Sequence, residues 1–98
     1  MADRTRYLLA YDIRHARRLR RVHRVATDYG EPLQYSLFVC DLTAVELAHL
    51  KAALLDVVKQ SEDSIGLFDL GPPAARGVQC VEFIGQRKPL PSGEAPVW

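Results

Sequence analysis

Asp12 has the clearest chemical setting of any carboxylate in this 98-residue chain. It ends the apolar run Tyr7-Leu8-Leu9-Ala10-Tyr11, and Arg14, Arg17, Arg18, Arg20, Arg21 and Arg24 follow within the next twelve residues. A carboxylate can hold a divalent cation, and guanidinium groups match phosphate oxygens. Two copies of Asp12 meeting across a twofold axis would repel unless a cation lay between them. Mg²⁺ is held in that way, by one or two carboxylates with waters and phosphate oxygens, and it could activate water and offset charge on a phosphate under attack. Two carboxylates are few for a nuclease. An aspartate just before a helix is also a favoured N-cap, and the residues alone leave both uses open.

The six arginines crowd the start of a helix, where the dipole opposes cations by about 0.3–1 kcal/mol each when exposed. Acids at i+4 that would lace such a face with salt bridges are scarce, so a phosphate backbone is the expected counterion. Net charge is only +1, but the first thirty residues carry +5 and the rest −4. Contacts of this kind position a duplex without reading its sequence. Tyr11, Tyr35 and Phe38 could stack on bases, although packing is the commoner use of such residues. His15 lies near Asp12 as a candidate proton carrier, yet an isolated surface histidine is commoner, and His23 and His49 are also isolated. Ser36 has no recognisable His–Asp pair to make it a nucleophile.

These residues need elements to position them. Residues 6–12 read as a strand buried on both faces. Leu19, Val22, Ala26 and Tyr29 then recur at helical spacing, predicting a helix over 14–29 stopped by Gly30. Residues 33–42, LQYSLFVCDL, are extended, and Thr43-x-x-Glu46 is a capping box that starts a second helix with Leu47, Leu50, Leu54 and Val57 or Val58 on its buried stripe. Residues 64–70 form a further strand ended by Gly71-Pro72-Pro73, and 78–84 a last one. The order is that of an α+β, ferredoxin-like βαββαβ sandwich with an extra C-terminal strand. That fold requires two strands between the helices, and no Gly or Pro turn divides 33–42. Either a very short strand near 32–34 or one long bent strand is expected.

The chain reads as one domain over 1–85, followed by a Pro- and Gly-containing flexible tail over 86–98 whose Pro96-Val97-Trp98 end suits docking on a partner protein. At this size a second copy would aid stability, and a homodimer is expected. Cys40 and Cys80 lack metal-ligand spacing and read as reduced core thiols of a cytoplasmic protein. No segment has the length and apolarity of a membrane span.

The pieces YLLAYDI, RRLRRV, DYG, QYSLF and DLTAVEL, in this order over residues 7–47, resemble the second of the two core CRISPR-associated proteins, the Cas-two family. The resemblance extends over about residues 6–85. It implies a ferredoxin-like homodimer that bridges two dimers of the partner integrase, Cas one, during spacer acquisition, with the last strand adding to a partner's sheet. It also implies a Mg²⁺-dependent endonuclease acting on single-stranded RNA or duplex DNA. Asp12 matches the family's acidic residue as catalytic and metal-binding candidate, Arg17, Arg18, Arg20 and Arg21 match its basic helix in kind, and Ser36 and Phe38 match polar and aromatic positions of its second strand. Tyr11 joins those two as an accessory candidate, and Arg14 and Arg24 complete the nucleic-acid-binding set. One departure is Arg14-His15-Ala16, where the family often has polar or acidic residues, which would weaken metal binding. The alternative is a stand-alone metal-dependent endoribonuclease of toxin-like type. An RNA-recognition-motif module is disfavoured, because its aromatic signature sequences are missing.

Overall fold

The computed structural model describes residues 3–74 and 81–85. Its elements run β1 (Thr5–Asp12), α1 (Ala16–Tyr29), β2 (Glu31–Gln34), β3 (Leu37–Leu42), α2 (Ala44–Leu55) and β4 (Ser64–Asp69). The strands form one antiparallel sheet in the order β2-β3-β1-β4. With both helices on one face, this is the ferredoxin-like α+β arrangement. Alternation along β1 and β3 sends Leu9, Tyr11, Phe38, Cys40 and Leu42 toward the helices, where they meet Val22 and Ala26 of α1 and Leu50 and Leu54 of α2 in the core. Residues of opposite parity, including Leu8, Ala10 and Asp12, face away.

The region between the helices is two strands. Tyr35 and Ser36 form a two-residue turn between β2 and β3, and a register shift falls between Pro32 and Gln34. Pro32 lacks an N–H, so it is tolerated here because β2 is an edge strand with an irregular ladder. The expected short strand is therefore present, one residue longer at its start.

Helix α1 begins at Ala16, not at residue 14, which leaves Arg14 in the preceding turn. Gly30 caps its C-terminus with extended backbone, φ −160°, rather than the left-handed form. What demands glycine there is space: a Cβ would run into the Val39 carbonyl and the Cys40 Sγ. The capping box of α2 is present as expected. The Thr43 hydroxyl accepts from Glu46 N at 3.2 Å, and the Glu46 carboxylate accepts from Thr43 N at 2.8 Å. Strand β4 stops at Asp69, one residue before its expected end, and Gly71, two residues on, takes φ +85°. The expected last strand over 78–84 falls partly outside the described residues, and its described part, 81–84, carries no strand. The tail over 86–98 and Cys80 also lie outside them. No helix among the described residues is long and apolar enough to cross a membrane.

Candidate nucleic-acid interface

Asp12 sits at the end of β1, in register with Ser64 of β4, and its side chain is 68 % exposed. Its neighbour is the Arg14 guanidinium at 3.7 Å. The capping use left open by the sequence does not occur, because His15 is the N-cap of α1 and its Nδ1 accepts from Arg17 N at 3.2 Å. Asp12 is thus free of a helix-capping duty and presents its carboxylate to solvent on the helix-free face of the sheet. On the same face, Ala10 stands beside Gly66, and Leu8 beside Phe68. Farther along, Arg6 and Asp41 form a bidentate pair, Nε to Oδ1 at 2.7 Å and an Nη to Oδ2 at 2.8 Å.

The turn that carries Arg14 is held from the far side of the chain. Asp63 accepts from Arg14 N at 2.9 Å, from Lys59 N at 2.9 Å and from Arg18 Nε at 2.8 Å, while a second Arg18 nitrogen reaches Glu62 at 2.9 Å. The Asp63 carboxylate is fully enclosed, and the Arg18 guanidinium, more than any other group, holds it well below the usual carboxylate range. Glu62 is also lowered, chiefly by its bond to Lys59 and then by Arg18.

This separates the arginines. Arg18 is committed to the α2–β4 loop and is only 19 % exposed. Arg17, Arg20, Arg21 and Arg24 are exposed, and their spacing of i, i+3, i+4 and i+7 puts them along one face of α1. Among the described residues none of these four makes an ion pair, including Arg24 with Asp28 one turn on. Arg14 is exposed at the head of this stripe, and its guanidinium lies near Asp12.

The aromatic candidates also divide. Phe38 is fully buried, so no base can reach it, and Tyr11 is 6 % exposed. Burial and then the nearby Tyr35 push the Tyr11 phenol upward. Its hydroxyl lies 3.1 Å from His23 Nδ1 and donates to the Tyr35 carbonyl at 3.2 Å. Both contacts are hydrogen bonds when His23 donates from Nδ1. Ser36 contributes its backbone, its carbonyl accepting from Tyr11 N at 3.2 Å. Of these three candidates, Tyr35 is the one left to solvent, 74 % exposed. Cys40 is a buried free thiol pushed up to about 12, by burial and then by Asp41.

For a metal, the described residues hold no cluster of three or more Asp, Glu, His or Cys side chains. A cation of the Mg²⁺ type needs few protein ligands and keeps its waters, and an exposed carboxylate such as that of Asp12 can serve as one of them. Sequence reasoning missed Asp63 and Glu62 as the groups that hold this region together. They lie about 45 residues from Arg18, and no local pattern links the two sites.

Comparison with known proteins agrees with the fold. The CRISPR-associated endoribonuclease Cas2 of Geobacter sulfurreducens is 38 % identical over 66 residues, covering 67 % of this chain and 70 % of that protein. The protein of the same name from Nitratidesulfovibrio vulgaris is 34 % identical over 95 residues, covering 92 % and 89 %. The crystal structure of Streptococcus pyogenes Cas2 at pH 6.5 superposes with a TM-score of 0.71 at 30 % identity, covering 82 % of this chain and 99 % of that one. Residues 5–76 match the family model for CRISPR associated protein Cas2, and the chain belongs to that family.

Proposed function

We propose that the protein is a homodimeric nucleic-acid-binding platform of CRISPR spacer acquisition, working in the cytoplasm beside the partner integrase, Cas one. The observation that carries this reading is the row of four exposed arginines on α1 without acidic partners among the described residues. Arginine placed in this way neutralises backbone phosphates and releases their counterions. Arg17, Arg20, Arg21 and Arg24, with Arg14 at the head of the helix, position a duplex, while Arg18 keeps the helix in place. A cytoplasmic setting fits Cys40 as an unpaired buried thiol.

The names of the relatives favour a second, compatible activity, cleavage of a phosphodiester. Asp12 would hold Mg²⁺, one carboxylate from each copy. When bound, that cation supplies a more acidic water and charge compensation at the phosphate. The chain's own share is to bring the strand to Asp12 along the arginine row and to keep the Asp12 carboxylate exposed.

Both parts are tested together, with labelled duplex DNA and single-stranded RNA in Mg²⁺. Replacing Arg17 and Arg21 by Ala removes two contacts per copy, four per dimer. It should flatten the log–log salt dependence of binding by up to about 3.6, at about 0.9 per phosphate. An unchanged slope would remove α1 from the interface. Asp12→Asn should abolish cleavage and leave binding intact. Cleavage that survives this substitution would place the nuclease chemistry elsewhere.

A further inference from the structure

Between α1 and the Tyr35-Ser36 turn lies an open cleft of about 410 Å³, a size that accommodates a small ligand. Arg20, His23, Arg24 and Asp28 line it from the helix, and Tyr35 lines it from the turn. The Tyr35 ring stacks toward His23, with centroids 6.3 Å apart and planes 25° from parallel. His23 is itself braced by the edge of Phe38 at 5.3 Å and by the Tyr11 hydroxyl. The Tyr35 backbone is tied to the same hydroxyl, so the exposed ring stands on a fixed base. A large exposed aromatic side chain fixed in this way, sharing a cleft with two arginines that make no ion pair among the described residues, is a stacking platform beside a phosphate site.

We propose that this cleft takes one unstacked guanine nucleotide: Tyr35 stacks on the base, Arg20 and Arg24 hold its phosphates, and Asp28 reads its edge. Asp28 is the one carboxylate among the lining residues, and it makes no ion pair among the described residues. An ionised carboxylate only accepts hydrogen bonds. Guanine offers it two adjacent donors, N1–H and the 2-amino group, where cytosine and adenine put an acceptor next to their amino group and uracil flanks its one N–H with two acceptors. A base inside a duplex cannot reach Tyr35, so the occupant is an unpaired nucleotide, either in a single-stranded segment or free in solution. The inference rests on the reading of α1 as a phosphate-binding helix, and it adds a base-reading site at one end of that helix.

The test compares one duplex in three forms: blunt, with a 3′ overhang of guanines, and with a 3′ overhang of cytosines. Free GMP is titrated as competitor. Tyr35→Ala should weaken the guanine-overhang complex by about tenfold or more, the scale of one lost base stack, while blunt-duplex binding stays within about twofold. Asp28→Asn should erase the preference for guanine over cytosine. Tyr35 is exposed, so its truncation does not threaten the fold. The proposal is overturned if Tyr35→Ala leaves overhang binding unchanged, weakens blunt duplex equally, or if guanine is not preferred. Tyr35-dependent competition by GMP at the overhang's own affinity supports the cleft with a free nucleotide as occupant, and much weaker competition supports it with a strand. Loss of blunt-duplex binding on replacing Arg17 and Arg21 reports separately on the duplex reading, so the two can fail independently.

Discussion

At the level of single residues, Asp63 carries more of the site than any arginine it supports. One carboxylate satisfies two backbone N–H groups and a guanidinium, and it thereby ties the turn before α1 to the loop after α2. Its folded-state pKa lies below the unfolded one, so at acid pH the unfolded chain binds more protons and stability rises with pH. This contribution is complete above about pH 5 and is lost as pH falls through the ordinary carboxylate value of about 3.9 toward the depressed one. Asp63→Asn should therefore lower the melting temperature by several degrees at pH 7, and the gap from wild type should narrow as pH is lowered from 5 to 2.5. Thermal melts across that range check this. A gap of constant size would mean that the carboxylate contributes by shape alone. The same variant should also weaken duplex binding at pH 7, since Arg14 and the first turn of α1 lose their anchor.

Among the elements, α1 depends on how closely its C-terminal end can approach β3. Gly30→Ala places a methyl group against a backbone carbonyl that cannot move without disturbing the β2–β3 ladder, and overpacking of that kind costs about 2 kcal/mol. Chemical denaturation should show this loss with an unchanged slope against denaturant. Full stability in the variant would mean that the end of α1 can shift away from the sheet. The sequence shows that glycine stops the helix, but the reason lies in Val39 and Cys40, nine and ten residues on. The same limit recurs across the molecule. Features written in adjacent residues are legible: the apolar run of β1, the 3.6-residue period of α1 and the Thr43–Glu46 capping box. The β2–β3 turn was legible only as a topological requirement, because Tyr35-Ser36 lacks the Gly or Asn that usually marks a two-residue turn. At the site, the position of Asp12 at the end of β1 and the basic face of α1 follow from local pattern, whereas the freedom of Asp12 from capping depends on His15 taking that place. The withdrawal of Arg18, the burial of Phe38 and the exposure of Tyr35 depend on residues brought together by the sheet, which no spacing rule encodes.

Across the whole molecule, the helix-free face of the sheet connects the arginines to Asp12. Both helices pack on the other side, yet this face carries Leu8, Ala10, Leu37 and Phe68, and the Phe68 ring lies against Gly66 with 54 % of the residue exposed. A chain this small gains most from covering such a surface with a second copy, and a stable interface needs about 1,200–2,000 Å² in total. Pairing through this face would bring the two strand-end carboxylates of Asp12 toward one axis and leave both α1 helices on the outside, where a duplex can meet both. Phe68→Glu tests the arrangement without touching the helix-packed core, because the ring makes no part of it. Sedimentation should find wild type as a dimer and the variant as a folded monomer. Duplex binding by the variant should keep about half the salt dependence, since each copy supplies half of the phosphate contacts. A variant that stays dimeric would take the sheet face out of the interface. The two Asp12 residues would then lack the shared axis on which metal binding by one carboxylate per copy depends.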